Sequence, residues 1–140
     1  MKLPFVIFLS VLILSSCASE ESEKVKSIYD DVEISLNDGA KWKVSPEMKP
    51  YMLKGFKLMH EFEKSKDKDY IQLAASLDGL KNKFVSSCNM KGDSHEQLHA
   101  WLMPYIGLID DLKEATKQED QEHIFQQLLS SEEAFNEYFK

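Results

Sequence analysis

From Val32 the chain alternates: Val32, Ile34 and Leu36 share one side, Asn37-Asp38-Gly39 follows, and Ala40, Trp42 and Val44 resume. Alternation on both sides of Asp-Gly predicts a short β-hairpin over residues 32–44. A lone hairpin is marginal in water, so Trp42 is expected to dock it on the unit that follows. After Val44 the period changes. Met48, Met52, Gly55, Met59 and Phe62 recur at spacings of 4, 3, 4 and 3, which is one face of a helix. Tyr70, Leu73, Leu77, Leu80, Phe84 and Cys88 form a second stripe. Leu98, Leu102, Tyr105 or Ile106, Ile109 and Leu112 form a third, and Phe125, Leu128, Phe135 and Phe139 a fourth.

The residues between the stripes supply stops and starts. Ser45-Pro46 reads as a cap with proline at the first helical position, and Pro50 allows a start one or two residues later. Asp67 is placed to cap the second helix, and Asn89 to Gly92 break it. Asp93 is placed to cap the third, with Glu96 reaching back to complete a capping box. Pro104 lies inside that helix and is expected to kink it. The fourth begins near Asp120. Short connections make sequential helices antiparallel, so residues 45–140 read as an up-down-up-down four-helix bundle. The fold class is all-α, a bundle preceded by the short hairpin.

The N-terminus changes the setting. A basic Met1-Lys2 precedes an apolar run from Leu3 to Leu14, too short for a stable membrane span and suited to a secretory signal. The tetrad Leu14-Ser15-Ser16-Cys17 resembles the lipobox of bacterial lipoprotein precursors. That resemblance implies removal of residues 1–16 as a signal peptide, lipidation of Cys17, and anchoring to a membrane of the cell envelope. Two or three acyl chains bury enough methylenes to hold a protein on a bilayer. Ala18 following the cysteine resembles the outer-membrane sorting pattern, where the cell has such a membrane. Residues 17–31 then comprise the lipidated cysteine and a tether, small, acidic and unpatterned over Ala18–Lys26. The remaining domain resembles the small lipoproteins of bacterial envelopes and no named domain family, which assigns it no activity.

Cleavage after Ser16 would leave 124 of the 140 residues, enough for one domain with its own core. It removes one basic residue, leaving 16 against 24 acidic ones and a net charge of −8. There is no arginine. Nucleic-acid recognition needs basic stripes and guanidinium forks, so that class is excluded. With Cys17 lipidated, Cys88 is the one remaining thiol and has no partner within the chain for a disulfide. It must be buried, paired between chains, or bound to something.

Bundle topology brings the reactive residues to one pole. At about 1.5 Å per residue, Met48 falls near the level of Phe84 and His99, and Met52 near Leu80 and Met103. Cys88 faces His95 across the turn. Met48, Met52, Met90 and Met103 therefore gather in the half that holds Cys88, His95 and His99, while His60 and His123 read as surface residues. Thiolate, thioether and imidazole together are the donor set that selects Cu(I). The expected site is Cys88, His95 and His99, completed by Met90 or Met48. Against it stands the plain alternative that the methionines and Cys88 simply fill core space.

Two enzyme-like or cofactor readings use the same residues. His95-Glu96-Gln97-Leu98-His99 fits the HExxH pattern of zinc peptidases, in which two imidazoles hold the ion and the glutamate activates water. Its context is poor: positions 102 and 105 are Leu102 and Tyr105, so the third histidine of the extended pattern is missing. Haem between Met48 and His99 is a further option, held non-covalently since no Cys-x-x-Cys-His occurs. The expectation is a non-enzymatic, lipid-anchored binding protein with a copper(I) site, zinc and haem ranking lower. The alternative is a structural lipoprotein with an envelope protein partner and no ligand, using the aromatic pole around Trp42, Trp101, Tyr138 and Phe139.

Overall fold

The computed structural model describes residues 26–140; the signal peptide and lipidation expected at residues 1–17, and most of the expected tether, lie outside the described residues. Four helices make up the bundle: α1 (Lys49–Lys64), α2 (Tyr70–Ser86), α3 (Asp93–Glu114) and α4 (Gln118–Tyr138). Each packs against the one that follows it, and α4 also meets α1. Among the described residues no helix is long and apolar enough to cross a membrane.

The core is the sum of the four stripes. Met52, Met59, Leu73, Leu77, Phe84, Leu98, Ile109, Leu112, Leu128 and Phe135 are buried together. Trp101 sits at the centre, fully buried, stacked on Tyr105 at 5.0 Å and meeting Phe135 edge-on at the same distance. Its indole N–H would be an orphan there, but it donates to the Ser131 carbonyl at 2.8 Å. The aromatic pole expected as a possible surface is thus core for Trp101 and Phe139. Along the α1–α4 seam, rings fill the space, with Phe56 against Phe135 at 5.4 Å and Phe62 against Phe125 at 5.1 Å.

Several boundaries differ from those the pattern suggested. The helix α1 starts at Lys49, with Pro50 in its first turn, where a missing N–H costs nothing. The second cap is Asp69, not Asp67: its carboxylate accepts from the Gln72 N–H at 2.9 Å. Asp67 lies in the connection instead, where the Lys68 ammonium reaches back to the carbonyls of Phe62 and Glu63 at the end of α1. The capping box at Asp93 does not form. Gly92, at φ 68 and ψ −155, takes the cap position, and its carbonyl accepts from His95 and Glu96. Asp93 and Glu96 are left in the first turn, where they complement the helix dipole.

The tether also ends earlier than residue 31. Ile28–Asp31 form a 3-10 turn closed by a capping box between Ser27 and Asp30. Gln127 clamps this segment onto α4, its amide accepting from the Ile28 N–H and donating to the Lys26 carbonyl, both at 2.9 Å. Tyr29 donates to the Trp101 carbonyl at 2.9 Å, and burial pushes its hydroxyl well above the usual tyrosine range.

Only the turn of the expected hairpin is present. Asp38 and Gly39 both have positive φ, and Asn37 and Ala40 exchange two backbone bonds of 2.9 Å. Beyond that the arms part. Trp42 donates to the Tyr138 carbonyl at 2.8 Å and accepts from the Lys140 N–H at 2.9 Å, while Val44 donates to the Lys140 carbonyl at 3.0 Å. The second arm therefore pairs with the end of the chain rather than with the first arm. The local turn is encoded by Asp-Gly, but a more buried partner, Phe139, wins the edge.

Candidate functional site

The C-terminus of α2, the Cys88–Gly92 turn and the start of α3 build a cavity of about 410 Å³. Cys88 arrives because it continues the α2 stripe one turn beyond Phe84, with its N–H bonded to the Val85 carbonyl. It is half-buried and unpaired. Gly92 then reverses the chain, and α3 presents His95, His99 and Met103 at successive spacings of four, one ridge of the helix. The two imidazoles meet edge to face, with centroids 4.5 Å apart and planes at 87°.

Every residue of the expected ligand set borders this one cavity: Cys88, His95, His99, Met90 and Met48. Met48 lies just ahead of α1 and is 1% exposed, so it forms the floor. Met90 comes from the turn. The structure adds Met103, which stands at the mouth with 58% of its surface exposed. Its signal was in the sequence, since it extends the His95–His99 ridge by one more turn. Met52, expected at the same pole, is buried in the core instead and does not line the cavity. The remaining walls are aliphatic: Val85, Leu98, Leu102 and Ile106. These apolar positions were legible as helix stripes, but not as a pocket wall.

The lining contains four sulfur groups, two imidazoles and no carboxylate. Glu47, just ahead of α1, lies outside the cavity lining. Its carboxyl is held below the usual range by the Ser45 hydroxyl, which donates at 2.5 Å, and it also accepts from Asn89 of the turn at 3.4 Å. Among the described residues no three histidine, cysteine, aspartate or glutamate side chains are grouped so as to hold a metal ion. Cys88, His95 and His99 thus share a cavity without forming a three-donor cluster. Glu96 is exposed, and among the described residues no third imidazole or carboxylate is grouped with His95 and His99.

His60 and His123 are exposed, as expected, and His60 pairs with Glu132 across the α1–α4 seam at 2.8 Å. A second cavity of about 450 Å³ between the 3-10 turn and α4 is bordered by Lys26, Asp30, Glu133 and Glu137. It offers charged oxygen and ammonium groups, not soft donors.

The chain matches no protein-family model, no curated protein and no solved structure. The cavity and its chemistry are therefore the ground for a functional reading.

Proposed function

We propose that this is a lipid-anchored, non-enzymatic protein of the cell envelope that binds Cu(I) in the cavity between α2 and α3. The observation that carries the reading is the composition of that lining: Cys88, Met48, Met90 and Met103 with His95 and His99, and no carboxylate. Cu(I) accepts thioether, thiolate and imidazole in low coordination numbers, whereas Mg(II), Ca(II) and Mn(II) need oxygen. A zinc site would call for four ligands, chiefly imidazole, thiolate and carboxylate. The lipid anchor rests on the Leu14–Cys17 tetrad.

Anaerobic titration of the full chain in detergent, against a competing Cu(I) chelator, tests this. One equivalent should be retained, and Cys88→Ser and His99→Ala should each weaken it about tenfold or more, the equivalent of ~1.4 kcal/mol. Binding that is equally weak in the parent and both variants would remove the metal reading. The second reading, an apolar pocket that accepts a side chain of an envelope protein partner, is favoured by the four aliphatic walls and would then stand.

A further inference from the structure

The cavity has a polarity along its depth. Its floor is Met48, 1% exposed, with Leu98 at 1% and Leu102 at 5%. Its mouth is Met103, 58% exposed, with Val85 of α2 at 45%. Thioether sulfur thus occurs at both the buried and the exposed extremes of the lining. Met48 is held by close packing and has little freedom to move. Met103 is unbranched, with three rotatable bonds and mostly water around it, so its sulfur can swing between the cavity and the solvent edge.

A single exposed apolar side chain is ordinary on a protein surface and implies no role by itself. A swinging soft donor at the mouth of a soft-donor cavity has a kinetic one. Cu(I) changes ligands associatively, the new bond forming as the old one breaks, with no change of oxidation state. A donor that meets the ion at the surface and follows it inward lowers the barrier in both directions. It leaves the difference between bound and free nearly untouched.

We propose that Met103 is the entry and exit ligand of this site and Met48 its retaining ligand, so that the cavity passes Cu(I) to a soft acceptor rather than locking it away. The inference rests on the copper reading above. It adds the direction of traffic: a thiol or thioether acceptor approaches on the α2–α3 face, bonds the ion as Met103 releases it, and leaves with it. The cation stays monovalent throughout, and the floor sulfur returns to its free state.

The test loads the full chain with Cu(I) and follows transfer to bathocuproine disulfonate by stopped flow, with loading measured separately. Met103→Leu should slow loading and release by a similar factor, about tenfold, and leave affinity within about threefold. Met48→Leu should lower affinity about tenfold or more; both swaps conserve volume, and unchanged helical circular dichroism confirms folding. If the parent fails to bind Cu(I), the copper reading falls and this inference with it. If the parent binds but Met103→Leu leaves both rates unchanged, the inference fails and the copper reading survives. Equal loss of affinity in the two variants would make Met103 a resident ligand and overturn the exchange role. Since Met103 is exposed, its variant decides the matter even if Met48→Leu does not fold.

Discussion

The Tyr29 hydroxyl donates across 2.9 Å to the carbonyl of Trp101, joining the turn at the domain's entry to the middle of its most buried helix. Trp101 in turn donates to Ser131 of α4. One aromatic residue thus receives the entering chain on its backbone and ties α3 to α4 through its side chain.

Tyr29→Phe keeps the ring and removes the bond. The Trp101 carbonyl still belongs to a helix, so the loss should be about 0.5–1.5 kcal/mol. Chemical denaturation with an unchanged slope would show that stability alone has moved. An effect below a few tenths of a kcal/mol would mean the entry turn is held by Gln127 instead.

Removing Phe139 and Lys140 should be far more damaging. Phe139 is 2% exposed and stacks on Phe135 at 5.3 Å, and Lys140 makes two backbone bonds to Trp42 and Val44. Losing a buried aromatic side chain costs about 3–5 kcal/mol, before the strand pairing is counted. A thermal melt of the shortened chain should fall by well over ten degrees, at about 4–8 °C per kcal/mol for a small domain.

Gly92→Ala should disturb the site as well as the fold. A Cβ at this position meets nothing within 4 Å, so the penalty is conformational only. At φ 68 and ψ −155 it should cost about 1–3 kcal/mol. Because Gly92 separates Cys88 and Met90 from His95, relaxation of the turn would also misplace the lining. Reduced Cu(I) affinity together with reduced stability is the expected pair of results; unchanged stability would show that alanine is accommodated there.

Acid sensitivity should trace partly to Asp78. Its Oδ1 lies 2.7 Å from the Lys81 ammonium and 3.0 Å from that of Lys113, though neither approach has the direction of a good hydrogen bond. The Lys81 ammonium and then that of Lys113 hold its carboxyl below the usual aspartate range. A depressed carboxylate stabilises the fold above its unfolded pKa of about 3.9 and loses that contribution as pH falls through the folded value. The groups are partly exposed and screened, so the contribution is about 0.5–1 kcal/mol. Asp78→Asn should lower stability near pH 7 by that amount and flatten the pH dependence below about pH 4. Parallel curves for the two proteins down to pH 2 would exclude the role.

Helix periodicity alone identified the four-helix class and nearly all of its core, because a 3.6-residue period leaves each helix one apolar face to bury. It also carried the pole at which Cys88, His95, His99, Met48 and Met90 meet, since short connections leave little freedom in which helix ends coincide. Three things needed the tertiary structure. Competition for a strand edge gave Trp42 and Val44 to Lys140, which no local pattern along residues 32–44 encodes. Backbone conformation at Gly92 moved the cap off Asp93. Finally, the rotation of each helix about its axis set Met52 inside the core and Met103 at the mouth of the cavity. Stripe spacing defines a face about 100° wide, and only packing against neighbouring helices decides which edge of that face meets water.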